Sequence, residues 1–347
     1  MTSKNRQRLS ELDGLRGIAA LAVVVFHYFY QYDSIYGHSF EISQWTRFGS
    51  YGVHLFFMVS GFVIFWTISK VDHPLDFIWS RFSRLYPVFW AAVFLTSLVV
   101  FTFGLPGREP RLTDLIVNYF MIHEYLGFKH VDGVYWTLSL ELAFYFWMLV
   151  LLLLDQTRHI EKWLLGWVVS AALLTYPGLG LELPGIWKKF FLLDYIELFA
   201  AGICFYILRQ GKGRPMTYLV LAASSLSLFA EYPVGIAFSL LLFYAVFYLA
   251  ITHRLGFLAT KQIVFVGTIS YSLYLIHQNI GYVIINGFYA NDLPATWAIV
   301  TAFTTSFLLA VLLTFKVERP AMQQLRRYYR DHDIRQIAGK LLSFGRN

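Results

Sequence analysis

Residues 12–32, LDGLRGIAALAVVVFHYFYQY, are nearly long and apolar enough to cross a bilayer, yet they carry Asp13, Arg16 and His27. A span needs about 20 mostly apolar residues, and a charged group within one is costly enough to be read as functional by default. Arg16 and His27 lie eleven positions apart. At about 100° and 1.5 Å per residue they share one helix face, about 16 Å apart along the axis. One helix therefore offers a guanidinium near one membrane surface and an imidazole deep within. The remaining chain is read as walls and partners for that face.

Composition supports this reading. The 347 residues are 57% hydrophobic and 14% charged, with a mean hydropathy of +0.54, whereas a soluble domain has about 25% charged residues. The expected class is an all-α, polytopic transmembrane helix bundle of about ten spans. The net charge of +7 does not call for nucleic acid, because excess Lys and Arg mark the cytoplasmic loops of a membrane protein. A single cysteine, Cys204, sits in an apolar run and excludes a disulfide framework and a Cys-based metal site. Lys4, Arg6 and Arg8 precede the first apolar stretch. That stretch is too long and too charged for a signal peptide, so a retained first helix is expected.

Apolar runs predict spans near 12–32, 50–69, 85–104, 134–154, 162–178, 190–208, 217–231, 234–252, 263–284 and 296–317. The segment 111–128, RLTDLIVNYFMIHEYLGF, is apolar on one side but holds Asp114, Asn118, His123 and Glu124, and reads as an interfacial or half-inserted helix. With both termini cytoplasmic, most Lys and Arg fall inside and only Arg47, Arg108, Arg111, Lys129, Lys188 and Lys189 outside, as the positive-inside rule asks. A membrane domain over 1–325 and a basic cytoplasmic tail over 326–347, lying along the anionic inner leaflet, complete the expected layout. The expected location is the plasma (inner) membrane, with the lipid bilayer as a partner.

Orientation sets depth. His27 lies past the midplane. Glu141, about seven residues into the fourth span, is expected at the same level and within reach of His27. A carboxylate beside an imidazole raises its basicity and orients it. The ninth span brings Ser270, Tyr271 and Ser272 to the lower middle and His277 to about the level of His27. At the inner mouth, Arg81 and Arg84 stand one turn apart on one face, a spacing that suits a phosphate or pyrophosphate. An anion clamp below and a His/Glu pair above suit a long phosphorylated donor.

These stretches taken together, LDGLRGIAALAVVVFHY, GVHLFFMVSGFVIFW, RFSRLYPVFW, YWTLSLELAFYFW, ISYSLYLIHQ and VERP, resemble in order the acyltransferase-3 family of integral membrane acyltransferases, from about residue 12 to 320. The resemblance implies transfer of an acyl group, acetyl by default, from cytoplasmic acyl-CoA to a hydroxyl of a sugar or glycan. It implies no bound cofactor and no metal, acyl-CoA being a co-substrate. By position, Arg16 and His27 match the family's first-helix pair, Arg81 and Arg84 its Arg-x-x-Arg motif, and Glu141 the acid after Trp136, Ser139 and Leu140. The expected scheme makes His27 the general base, oriented by Glu141. Arg16, Arg81 and Arg84 take the donor's phosphates, and Tyr271, Ser270 or Ser272 serve the oxyanion. A covalent acyl-His27 intermediate is the variant.

Each residue also has a plainer reading. His27 would be a structural histidine between helices, Arg81 and Arg84 positive-inside anchors, and Glu141 half of a buried ion pair. Asp13 would neutralise Arg16, and His277 stands open between an acceptor site and packing. Asp194 and Glu197 read as solvated interfacial acids, His54 and Ser60 as lining residues, and Glu318 and Arg319 as an anchoring stop to the last span. The rival function from another class is a transporter or flippase of an anionic or lipid-linked substrate, which inverted repeats or paired broken helices would favour. A polyprenyl-phosphate-sugar glycosyltransferase would need more acid in the first external loop than Asp33 and Glu41.

Overall fold

The computed structural model describes residues 9–175 and 183–332. The basic start (Lys4, Arg6, Arg8) and residues 333–347 of the expected tail lie outside the described residues. Among those described there is no strand. Ten principal helices stand where ten spans were expected: α1 (Ser10–Phe26), α2 (Gly52–Ile68), α3 (Pro74–Phe103), α4 (Trp136–Leu153), α5 (Ile160–Thr175), α6 (Ile196–Arg209), α7 (Pro215–Glu231), α8 (Val234–Ile251), α9 (Lys261–Tyr289) and α10 (Ala295–Leu313). Among the described residues, six helical stretches are long and apolar enough to cross a membrane: Ser10–Tyr36, Gln44–Ile68, Pro74–Phe103, Gly133–Leu153, Val234–Ile251 and Ala295–Asp331. The helices α5, α6 and α7 have 16, 14 and 17 residues. The 29-residue α9 is long enough but carries Ser270, Ser272, His277, Gln278 and Asn279, all buried. Polar groups inside such a bundle face one another rather than lipid.

Local chemistry sets the helix ends. His73 accepts the Leu75 N–H at 3.2 Å, and Pro74 opens α3, where its missing N–H costs nothing. Gly104, at φ +75°, ends α3 in a positive-φ conformation that glycine reaches without a Cβ clash. Two helices change pitch without ending. α1 passes through a π turn at His27–Gln31 and resumes over Tyr32–Tyr36. α10 passes through a π turn at Thr314–Glu318 and runs on as α11 (Arg319–Asp331). The expected stop at Glu318 and Arg319 is therefore corrected: the helix continues because Pro320 falls in the first turn after the π turn, where proline fits. α11 also crosses the expected boundary at residue 325.

The core is the crossing of α1 and α9, with α10 behind α9 and α2 against α6. At that crossing a Cβ on Gly267 would stand 1.9 Å from the Asp13 carbonyl oxygen, and one on Gly17 would stand 2.7 Å from the Gly267 nitrogen. Small residues let helix backbones approach where no hydrophobic force joins them. Replacing Gly267 by valine should therefore push α1 off α9. The expected result is loss of a monodisperse peak in detergent gel filtration, or a melting temperature lowered by several degrees. An unchanged melt would show that the crossing tolerates separation.

The 111–128 segment is a short helix (Leu112–Asn118) followed by a 3-10 turn (His123–Leu126). Leu112, Ile116 and Phe120 point outward while Asp114, Asn118 and His123 are buried. The Asn118 side chain donates to the Asp114 and Lys129 carbonyls and accepts the Val131 N–H. Polar side chains satisfy the turn from within, so the outward face can be apolar.

Candidate active site

α9 carries the register of the site. The Asp132 carboxylate accepts the Asn279 backbone N–H at 3.0 Å, and the Asn279 amide donates to the Val131 carbonyl at 2.8 Å. The start of α4 is thus pinned beside residue 279, while α9 runs ten residues further, about 15 Å. α4 therefore begins well below the far end of α9. Descending from Asp132, Glu141 arrives level with Ser270 and Tyr271, six or seven residues below His277, about 10 Å.

This register corrects the expected His27–Glu141 dyad. His27 Nδ1 lies 3.0 Å from His277 Nε2 and 2.9 Å from the Val23 carbonyl oxygen. Glu141 instead accepts from Ser60 Oγ at 3.0 Å and from the Tyr145 hydroxyl. The depth expectation failed because it counted α4 from the membrane surface, whereas the chain before it dips into the bundle.

The imidazole pair has a definable tautomer. His277 Nδ1 contacts the Leu273 and Tyr274 carbonyl oxygens at 3.1 and 2.9 Å. Carbonyls only accept, so Nδ1 carries the proton and Nε2 of a neutral His277 is an acceptor. His27 Nδ1 must then be the donor to both the Val23 carbonyl and His277 Nε2, which leaves His27 Nε2 unprotonated. Two sets of helix carbonyls thus fix an imidazole base without a carboxylate. Next to it, the Tyr28 hydroxyl donates to the His277 carbonyl oxygen at 2.8 Å and lies 2.7 Å from Ser306 Oγ, tying the π turn to α9 and α10.

Below the pair, Arg16, Arg81, Arg84, Glu141, Tyr145, Ser270 and Tyr271 line a cavity of about 90 Å³, room for several waters. Arg16 stands 3.9 Å from Asp13, and Arg84, Glu318 and Glu141 are its other charged neighbours. Arg81 donates to Ser80 Oγ at 3.0 Å and Thr67 Oγ1 at 3.3 Å, and its buried Nε has no partner among the described residues. Ser270 spends its proton on the Gly267 carbonyl. Ser270 and Tyr271 thus sit with the arginines and not at the level of His27, which removes them as oxyanion donors there. Ser272 faces away, bonded to Thr314 and Glu318. The cavity's ceiling is Tyr274, whose hydroxyl is 2.8 Å from Thr137 Oγ1 and whose ring packs on Phe56 and His277 at 5.6 and 5.9 Å.

On the flank of α3 and α4 an apolar groove of about 1040 Å³ shares Arg81, Leu85 and Tyr145 with the cavity. Its far wall is clamped by charge. Lys189 and His130 both pair with Glu124. Burial pushes the Glu124 carboxyl up, but the hydrogen bonds from His130 and Lys189 outweigh it and hold the group down to about 2. Burial, reinforced by His130, pulls the neighbouring His123 down to about 4.

Some polar residues were missed or misplaced in the sequence reading. Arg108 donates to Asn279 Oδ1 at 3.3 Å and lies over the Tyr282 ring, and its charge reaches His27. It had counted only as a loop cation, although Gln278 and Asn279 beside His277 were a signal, being polar groups in a span. Glu197, expected to be solvated, is fully buried, with no hydrogen-bond partner for either carboxylate oxygen among the described residues. His54 bonds the Tyr232 hydroxyl at 3.1 Å beside it.

A family model described as an acyltransferase domain matches residues 9–315. The acyltransferase MdmB of Streptomyces mycarofaciens is 31% identical over 147 residues, 40% of this chain and 38% of that protein. The putative membrane-bound transacylase BcsY of Komagataeibacter xylinus is 27% identical over 228 residues, 60% and 53% of the two chains. A putative O-acetyltransferase of Staphylococcus aureus (strain COL) is 28% identical over 195 residues, 48% of this chain and 29% of its own. The chain thus spans about half or less of the length of these relatives. No solved structure matches it. With its long apolar helices and a family match over most of its length, the chain belongs to the acyltransferase-3 family of multi-pass membrane acyltransferases.

Proposed function

We propose that the protein moves an acyl group, acetyl by default, from acyl-CoA at the cytoplasmic face to a hydroxyl of a sugar or glycan presented from the opposite side. The observation that carries this reading is the stacking of two unlike sites in one bundle: three guanidiniums in a narrow cavity and, about 10 Å above Ser270, an imidazole whose free nitrogen is fixed by its hydrogen bonds. The arginines take donor phosphates, with Glu141 as their counter-charge. The thioester arm passes Tyr274 and brings its carbonyl to His27. His27 Nε2 takes the acceptor hydroxyl's proton as that oxygen attacks the carbonyl carbon. The C–S bond then breaks, and the departing thiolate recovers the proton from the imidazolium. His277 holds the ring and accepts from Nδ1–H throughout. Arg108, a cation whose field reaches His27, steadies the oxyanion.

The test is vectorial. Full-length protein in vesicles is given labelled acetyl-CoA on the arginine side and an oligosaccharide on the other. The expected product is an alkali-labile acetyl ester on the oligosaccharide. Movement of the oligosaccharide across the bilayer without acetylation would overturn the reading in favour of transport.

A further inference from the structure

A second polar site opens at the arginine end, outside the cavity. The link between α2 and α3, the first turns of α3 and the exposed face of α11 enclose a cleft of about 600 Å³, a size that suits a small-molecule ligand. One side is an aromatic platform: Trp79 and Tyr329 stack at 5.3 Å with 21° between their planes. Both rings are pinned, Trp79 by donating to the Leu325 carbonyl at 2.9 Å and Tyr329 by donating to Asp76 at 2.7 Å. The other side is cationic. Lys70 lies 4.3 Å over the Trp66 ring, and Arg327 and Arg330 make no hydrogen bond or ion pair among the described residues. Arg326 adds a further cation, and Asp72 and Asp76 are the acids present. Ser80 lines the cleft and accepts from Arg81, which lines the cavity, so the two spaces are one residue apart.

We propose that this cleft binds a phosphorylated purine nucleotide, the adenosine 3′,5′-bisphosphate end of the donor, and that the chain leaves it past Ser80 into the arginine cavity. The inference rests on the acyl-CoA reading above. A rigid aromatic face offers a π surface to a purine, and guanidiniums grip phosphate by forked hydrogen bonds. An anionic lipid headgroup would satisfy the same cations but has no use for the platform, and it would not lead toward Arg81.

Full-length protein in neutral-lipid nanodiscs is titrated with radiolabelled adenosine 3′,5′-bisphosphate. Saturable binding is expected, displaced by CoA and weakened about ten-fold or more in the Arg327→Gln/Arg330→Gln variant, whose positions are exposed and carry no packing. The absence of binding, or binding unmoved in the variant, overturns the cleft. So does phosphatidylglycerol co-purifying with wild type, but not with the variant, when the nucleotide fails to bind. Acetyl transfer from acetyl-CoA is followed in the same discs. Transfer with an unchanged donor KM in the variant overturns the cleft and leaves the donor reading standing. No transfer by wild type overturns the donor reading, and the bisphosphate titration then decides the cleft alone.

Discussion

Replacing His27 by glutamine is expected to lower kcat/KM for acyl transfer about 10²- to 10⁴-fold, the usual contribution of a positioned base, while the protein still elutes as a folded species. Glutamine keeps a donor toward Val23 and His277 but offers no basic nitrogen. Within the same scheme His277 is a positioning residue, so His277→Gln should cost less, roughly ten- to a hundred-fold, in line with the loss of an outer hydrogen-bond partner. It should also shift the midpoint of the pH–rate profile, a change that loosened packing would not produce. Glu141→Gln separates the two arrangements of the site. If the carboxylate oriented His27, that midpoint would move. With Glu141 bonded to Ser60 and Tyr145 instead, the midpoint should hold and the donor KM should change. Near-normal transfer by folded His27→Gln would end the proposal.

Replacing Arg84 by glutamine is expected to raise the donor KM about ten- to a hundred-fold, the equivalent of one charge-assisted hydrogen bond at about 1.5–3 kcal/mol, with a smaller change in kcat. Arg84 lines the cavity and makes no hydrogen bond or ion pair among the described residues, so its removal strands no hydrogen-bond partner and the melting temperature should change little. Lysine should rescue only partly, because a point charge cannot reproduce the planar fork. Arg81→Gln should raise KM as well but also lower stability, since Arg81 is buried and bonded to Thr67 and Ser80. A donor KM within two-fold of wild type in Arg84→Gln would reduce the arginine pair to membrane anchors.

Much of this is legible in the sequence. Apolar run lengths located the principal helices, six stretches among the described residues being long and apolar enough to cross a membrane, where lipid leaves a backbone few other options. The arginines converged as expected, because helical spacing and charge asymmetry set both their face and their level. The pairing of His27 failed to emerge for a physical reason. Sequence depth is counted from an assumed surface, and the turn before α4 is buried through Asp132 and Asn118 rather than lying at that surface. An error of about seven residues moved Glu141 from the imidazole to the guanidiniums. The two π turns were equally unreadable: each lets a helix absorb one extra residue, and neither His27–Gln31 nor Thr314–Glu318 carries a proline or glycine to announce it. Arg108 was hidden by its loop, since nothing local says that a cation before Glu109 turns inward to Asn279.

The ceiling formed by Tyr274, Thr137 and Phe56 has a consequence for the cell. Under the proposed transfer, a bundle that admits a charged tail from one side and a hydroxyl from the other would risk becoming a proton wire. Two hydroxyls bonded to each other and backed by a phenyl ring stand between arginine and imidazole. On that reading the barrier opens in turnover, while a substrate arm holds the tyrosine aside.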